Sequence, residues 1–179
     1  MTGRRNLLWI FCFTISFCSA QDAKNMLREF PSHGKSLRLF VFLSPDCPLS
    51  RNYTKTINEF TTTYHSNVLV FGIIPGTAYT IDEIEQFRKK YKTAFSLFTD
   101  TSMAITNFLH ASITPEAILL DSTGNTIYMG AIDDWVETLG KNKLKPTRFY
   151  VKDAIDQYLS SSMILVKKTK AVGCKINDY

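Results

Sequence analysis

The feature that most constrains the fold is an almost continuously apolar run, Leu37 to Leu43, that ends at a proline-containing turn. A run of this length without polar alternation is typical of a central strand covered on both faces. The turn reads Ser44-Pro45-Asp46-Cys47-Pro48, and apolar or aromatic residues then recur at steps of three and four, as on one face of a helix. That face comprises Leu49, Tyr53, Ile57, Phe60 and Tyr64. The sequence therefore predicts a strand, a turn and a helix, with Cys47 at the junction.

The rest of the chain alternates in the same way between strand and helix patterns. The further predicted elements are a strand at 67–74, a helix after the capping box of Thr80 and Glu83, a strand at 95–98, a helix at 101–110, a hairpin of strands at 116–120 and 126–132, and a last helix that Pro146 and Thr147 open. This order predicts an α/β fold with parallel strands, helical crossovers and an antiparallel hairpin at one edge of a mixed sheet.

The N-terminus has the layout of a secretory signal. Arg4 and Arg5 precede an apolar run from Leu7 to Phe17, and Ser19-Ala20 supplies small residues for cleavage. A retained membrane anchor is the alternative, but about 11 apolar residues are too few to span a bilayer, which needs roughly 20. We therefore expect residues 1–20 to be a signal peptide and 21–179 to be one exported domain, periplasmic or extracellular, with no membrane span in the mature chain.

Composition and charge exclude several classes of protein. Apolar residues make up 45% and charged residues 21% of the chain, which is typical of a globular domain rather than a disordered one. Removing Arg4 and Arg5 with the signal would lower the net charge from +5 to +3. Such a mild surplus of positive charge, without a basic cluster, does not indicate a nucleic-acid partner. The three histidines show no ligand spacing, and we expect neither a metal nor another cofactor.

Cys47 is the strongest candidate for chemistry. Pro48 suits the first position of a helix, which makes Cys47 the N-cap and turns its sulfur towards free N–H groups and the positive end of the helix dipole. That environment favours the thiolate, the reactive form of cysteine. Ser50 is placed to hydrogen-bond the sulfur, Arg51 would add positive charge, and Asp46 would act in the opposite sense. A buried cysteine that acts as a small hydrophobe is the alternative interpretation.

These residues carry a resemblance to a known superfamily. The strand, the turn Ser44 to Ser50 and the helix resemble the active-site corner of thioredoxin-like proteins, and Thr114-Pro115 resembles their cis-proline loop. More closely, the chain resembles exported bacterial redoxin-domain proteins of the alkyl hydroperoxide reductase/thiol-specific antioxidant group. The matching pieces are Ser44 to Pro48, Thr114-Pro115-Glu116, Ile132 to Trp135 and Gly173-Cys174.

The resemblance implies a thioredoxin-like three-layer fold, a central mixed sheet with flanking helices and a C-terminal β-hairpin plus helix. It also implies roles: Cys47 as the nucleophile, Pro48 and Pro115 as walls of the substrate site, and Thr114 as the residue that pairs with substrate backbone. In the peroxiredoxin pattern, Ser44 would occupy the position of the peroxide-binding hydroxyl.

The chain also departs from the patterns of its relatives. Ser50 stands where thioredoxins have the second cysteine of C-x-x-C, and Arg51 where copper-delivery relatives have theirs. Phe40 replaces the proline of the peroxiredoxin motif, and no arginine occurs between Arg88 and Arg148. These departures bear on which oxidant the protein uses.

Cys174 is the other cysteine of the expected mature chain. In some peroxide-reducing relatives a C-terminal cysteine captures the sulfenic acid formed on the first one, which would make Cys174 the resolving cysteine. A structural bridge to Cys47 and a position too far from Cys47 for contact are the two alternatives.

Two functional hypotheses result. The first is a thiol-dependent oxidoreductase in which Cys47 reduces a peroxide or exchanges with a protein disulfide, and an external thiol or redox protein supplies electrons. The second is a non-catalytic thioredoxin-like module that binds a partner in the same groove. The sequence does not define the oligomeric state.

Overall fold

A computed structural model describes residues 27–176, so the predicted signal peptide lies outside the described residues. In chain order the elements are β1 (Leu37–Phe42), α1 (Pro48–Thr63), β2 (Val68–Pro75), α2 (Ile81–Tyr91), β3 (Ser96–Asp100), α3 (Ala104–Phe108), β4 (Ile113–Thr114), β5 (Glu116–Asp121), β6 (Thr126–Gly130), β7 (Val136–Thr138), β8 (Lys141–Asn142), α4 (Tyr150–Leu159) and β9 (Cys174–Lys175).

The central sheet has five strands in the order β3-β2-β1-β5-β6. β1 runs parallel to β2, and β2 parallel to β3, because α1 and α2 carry the chain back between them. β5 pairs antiparallel with both β1 and β6, and the β5–β6 hairpin forms the edge of the sheet. The predicted mixed sheet, the parallel crossovers and the hairpin are therefore confirmed.

β1 lies at the centre of the sheet and is buried on both faces. Alternate side chains of a strand point to opposite faces, so Leu39 and Val41 pack in the layer of α1 and α4, whereas Phe40 and Phe42 pack in the layer of α3. The helical face predicted for α1 also faces the core, with Ile57 fully buried. Helices on both faces of one sheet give three layers.

The last helix begins later than predicted, at Tyr150 rather than at Pro146-Thr147. The main-chain N–H groups of Thr147 and Arg148 donate to the Asp134 carboxylate at 2.7 and 2.9 Å. Lys143 adds an ion pair with Asp134 at 2.5 Å. A distant carboxylate thus fixes this segment as a loop, and the small β7–β8 hairpin that precedes it was not predicted.

Asp133 is buried, accepts a hydrogen bond of 2.5 Å from the Tyr53 hydroxyl, and accepts another from the Trp135 main chain at 2.9 Å. Burial raises the pKa of Asp133, against the effect of these hydrogen bonds. Asp133 therefore ties the loop after β6 to the helix that begins at Cys47.

Between residues 27 and 176, no helix is long and apolar enough to cross a membrane.

The burial of β1 predicts a large difference between two identical substitutions. Leu39→Ala removes a fully buried side chain next to α1 and is expected to lower the free energy of unfolding by about 2–5 kcal/mol. Leu144→Ala, at a position 97% exposed, is the matched control and should change it by less than about 0.5 kcal/mol. Urea unfolding followed by circular dichroism measures both, and equal losses would contradict this assignment of the core.

Candidate active site

Cys47 is the N-cap of α1, directly after β1 and the turn that follows it. Its main-chain N–H donates to the Ser44 carbonyl at 3.1 Å, and its carbonyl accepts from the Arg51 N–H at 3.1 Å. Pro48 is the first residue of the helix, where its missing N–H costs no hydrogen bond. The turn and the helix start therefore hold the Cys47 sulfur at the end of the central strand.

The C-terminal segment brings the second cysteine to this point. β9 pairs antiparallel with β4, so that Cys174 lies opposite Thr114 and Lys175 opposite Ile113. The Cys174 thiol lies 2.6 Å from the Cys47 sulfur and donates to it. The alternative in which Cys174 lies too far from Cys47 for contact is therefore wrong.

Gly173 allows the close approach of this segment. A Cβ atom added to Gly173 would lie 2.1 Å from the carbonyl oxygen of Thr114 and 2.8 Å from its carbonyl carbon. Both are main-chain atoms of a buried residue, so they cannot move aside as the end of a flexible side chain does. The glycine before Cys174 is thus required for the contact between the two strands.

The peptide bond between Thr114 and Pro115 is cis, as the resemblance implies. The Thr114 carbonyl lies 3.2 Å from the Cys47 sulfur and accepts its proton when the thiol is neutral. The Thr114 hydroxyl contacts the Cys174 carbonyl at 3.4 Å. Thr114 therefore contacts both cysteines.

The two thiols have opposite tendencies to ionise. Burial raises the pKa of Cys47, but the hydrogen bond from the Cys174 thiol acts against burial, as do the main-chain N–H groups of Ser50, Cys174 and Leu49. The net effect lowers the pKa of Cys47, although the sulfur makes no close capping hydrogen bond with its helix. Burial raises the pKa of Cys174 to about 11, with the hydrogen bond to Cys47 and the negative charge there adding to it. Of the two thiols, Cys47 therefore loses its proton at the lower pH, and Cys174 keeps its proton.

The two serines are engaged within the turn. The buried hydroxyl of Ser50 accepts the Ser44 N–H at 3.1 Å, and it is the main-chain N–H of Ser50 that lowers the pKa of Cys47. The Ser44 hydroxyl lies 2.6 Å from the Tyr79 hydroxyl. Arg51 donates to the Pro45 carbonyl at 2.6 Å and to Asp46 at 3.2 Å. These contacts fix the shape of the turn around Cys47.

Sequence reasoning missed two residues that shape the site. Tyr79, from the loop before α2, bonds Ser44, and no local pattern marks it. Glu116 follows the cis proline, and its buried carboxylate accepts the N–H groups of Ser112 and Ile113 at 2.9 and 3.3 Å. It therefore fixes the loop that presents Thr114. The Thr-Pro-Glu motif was a signal for Glu116, but it did not reveal that role.

A small pocket opens next to the β4–β9 pairing. It has a volume of about 100 Å³ and lies between Ser44, Tyr79, Thr114 and Lys175. Lys175 belongs to β9, so the C-terminal segment forms one wall of the pocket.

Comparison with solved structures defines the class of fold. A hypothetical protein from Sinorhizobium meliloti 1021 superimposes with a TM-score of 0.73 at 23% identity, covering 86% of this chain and 84% of its own. An uncharacterized conserved protein from Geobacillus kaustophilus superimposes with a TM-score of 0.70 at 18% identity, covering 80% of this chain and 77% of its own. A thioredoxin-like protein in the oxidised form superimposes with a TM-score of 0.55 at 16% identity, covering 73% of this chain and 82% of its own.

The chain therefore has the thioredoxin-like fold, and the expected fold class is confirmed. No protein-family model matches the sequence, and no curated protein is significantly similar to it.

The hydrogen bond from the Cys174 thiol to the Cys47 sulfur predicts how the Cys47 pKa responds to substitution of Cys174. Cys174→Ala removes the thiol that donates to Cys47, so the pKa of Cys47 should rise. Cys174→Ser retains a donor of similar size and should leave the pKa closer to that of the unmodified protein. Thiolate absorbance at 240 nm, followed across a pH titration, measures both. An alanine variant in which Cys47 ionises at lower pH than in the serine variant would show that Cys174 does not stabilise the thiolate.

Proposed function

We propose that the protein is a thiol-disulfide oxidoreductase of the secreted redoxin type, in which Cys47 and Cys174 form the redox pair. The observation that carries the proposal is the contact of 2.6 Å between the two sulfurs across the β4–β9 pairing. Cys47 is the nucleophile because its pKa is lowered, and Cys174 is the resolving cysteine because its pKa is raised while Cys47 is charged.

In the first step, the Cys47 thiolate attacks one sulfur of a substrate disulfide. A bond forms between Cys47 and that sulfur, the substrate S–S bond breaks, and the second substrate sulfur leaves as a thiolate that takes a proton from solvent. Thr114 and Pro115 border the approach to Cys47, and Pro48 closes the site on the side of the helix.

In the second step, Cys174 attacks the Cys47 sulfur of the mixed disulfide. The Cys47 negative charge, which keeps the Cys174 proton in place, has disappeared at this stage, so Cys174 ionises more readily. The Cys47–Cys174 disulfide forms and the first substrate sulfur leaves as a thiol. Two electrons have passed from the pair to the substrate, and an external thiol or redox protein restores the dithiol.

A peroxide is the other oxidant that the resemblance to the alkyl hydroperoxide reductase/thiol-specific antioxidant group implies. The Cys47 thiolate would take one oxygen as a sulfenic acid and release water or an alcohol, after which Cys174 would expel a second water. In that pattern the Ser44 hydroxyl would bind the peroxide, but here it hydrogen-bonds the Tyr79 hydroxyl. Arg51 donates to the Pro45 carbonyl of the turn. These contacts favour a disulfide over a peroxide as the substrate.

The alternative functions differ in the redox behaviour that they require. A structural bridge between Cys47 and Cys174 would have a reduction potential below about −300 mV, whereas catalytic pairs lie between roughly −120 and −270 mV. A binding module would need no reactive thiolate. The proposed function includes export by the predicted signal and action in an oxidising compartment, where such pairs operate.

Two substitutions separate the roles of the cysteines. Cys174→Ser is expected to react once with oxidised glutathione and to accumulate the mixed disulfide on Cys47, because nothing resolves it. Cys47→Ser should form a glutathione adduct on Cys174 more slowly, because burial still raises the pKa of Cys174 after the hydrogen bond and charge of Cys47 are gone. Intact-mass spectrometry under non-reducing conditions distinguishes the adduct from the internal disulfide.

The unmodified protein supplies the control, because it should pass through the adduct to the Cys47–Cys174 disulfide and titrate reversibly in a glutathione buffer. One equivalent of hydrogen peroxide in a parallel sample tests the peroxide as oxidant. Thiols that survive both oxidants unchanged would contradict an enzymatic function and favour the binding module.

A further inference from the structure

The nucleophile of the proposed reaction is covered by the chain itself. Cys47 is only 2% exposed, and its sulfur contacts the Cys174 thiol on one side and the Thr114 carbonyl on another. Cys174 is less buried and belongs to a strand of two residues near the C-terminus. A substrate sulfur must reach Cys47, so something in this cover has to move.

The segment that covers Cys47 is held firmly at one end and weakly at the other. Upstream, the Thr169 hydroxyl accepts the Ala131 N–H at 2.9 Å, and the Thr169 N–H donates to the Met129 carbonyl at 3.0 Å. Downstream, the two-residue pairing of β4 with β9 is followed by one further hydrogen bond, from the Ile176 N–H to the Ser112 carbonyl at 3.0 Å. Few contacts give a low free energy of local opening. The segment after Thr169 can therefore open while β6 stays intact.

The cover occupies the edge of β4 that a substrate in extended conformation would use. β9 pairs with β4 along the edge of Thr114 at which Cys174 contacts the Cys47 sulfur. A strand carries its hydrogen-bonding groups alternately to its two sides, so one edge accepts one partner strand at a time. A substrate strand with its sulfur at Cys47 and the segment of Gly173 to Lys175 are mutually exclusive.

We propose that residues 170–176 are a displaceable cover that competes with extended cysteine-containing polypeptides for the edge of Thr114, so that access to Cys47 depends on the redox state. This inference rests on the proposed function. In the dithiol form the cover opens and a substrate strand takes its place. When the cover closes again, Cys174 reaches Cys47 and the cover displaces the substrate strand in the same movement. In the disulfide form the cover is covalently closed.

Gly173 gives a test that leaves both cysteines in place. Gly173→Ala puts a Cβ atom against the Thr114 carbonyl and should weaken the closed cover. It should therefore speed the first step, by roughly fivefold for the loss of one hydrogen bond, and slow the second. Opposite changes in the two steps are the signature of a cover, because a general loss of stability would not slow resolution while it speeds attack.

The probe is a synthetic extended peptide whose single cysteine forms a disulfide with 2-nitro-5-thiobenzoate. Stopped-flow release of the coloured thiolate measures the first step, and release of the peptide thiol, followed by rapid quench and mass spectrometry, measures the second. Ile176→Ala, which removes packing at the far end of the cover, is a second variant expected to change both steps in the same directions. Lys170→Ala, exposed in the same segment, is the matched control and should change neither.

Unchanged or slower first steps in both Gly173→Ala and Ile176→Ala would overturn the proposal. If these variants still form the Cys47–Cys174 disulfide with oxidised glutathione, the proposal of a displaceable cover is wrong and the proposed redox function stands. A protein that forms no Cys47–Cys174 disulfide at all contradicts the redox function itself, and the cover falls with it. Faster attack with slower resolution in both variants supports the cover.

Discussion

The pairing of Thr114 with Cys174 is the interaction on which the proposed chemistry of this protein depends. It places two sulfurs 2.6 Å apart although 127 positions separate them in the chain. β1 and α1 fix the first sulfur, the cis-proline loop presents the edge of β4, and β6 holds the C-terminal segment at Thr169 before it crosses the site. The rest of the fold supports these three elements. Because Gly173 has no side chain, the C-terminal segment can lie against the Thr114 main chain.

In the proposed function, two distant cysteines take the place of the two neighbouring cysteines of a C-x-x-C motif. Ser50 stands at the position of a second motif cysteine, but its hydroxyl accepts the Ser44 N–H and its main-chain N–H lowers the pKa of Cys47. Cys174 supplies the missing thiol from the chain end. In the proposed cover that thiol sits on a weakly held strand rather than on the helix, so its distance from Cys47 changes during the proposed reaction. In the proposed function Cys47 attacks because the hydrogen bonds that lower its pKa outweigh its burial, whereas burial and Cys47 itself raise the pKa of Cys174.

Sequence reasoning succeeded where the signal was local and failed where a distant group intervened. The apolar run of β1, the periodic face of α1 and the capping box of Thr80 and Glu83 depend on neighbours within a few residues, and each appears as predicted. The start of α4 was misplaced because the Asp134 carboxylate, 13 and 14 positions upstream, captures the N–H groups of Thr147 and Arg148. The contact of Asp133 with Tyr53 was not predicted for the same reason, since the two residues lie 80 positions apart.

The sequence by itself determined that Cys47 stands at the junction of a buried strand and a helix, because periodicity, proline preference and helix capping are short-range properties. It also identified Thr114-Pro115 and Cys174 as candidates, but it left three relations between the cysteines open. Only the tertiary structure brought Cys174 to Thr114, because that contact depends on the path of the segment over β6 and on a carbonyl approach that one glycine allows. A pattern of residue types records which groups a chain carries, whereas packing over long sequence separations decides which of them meet.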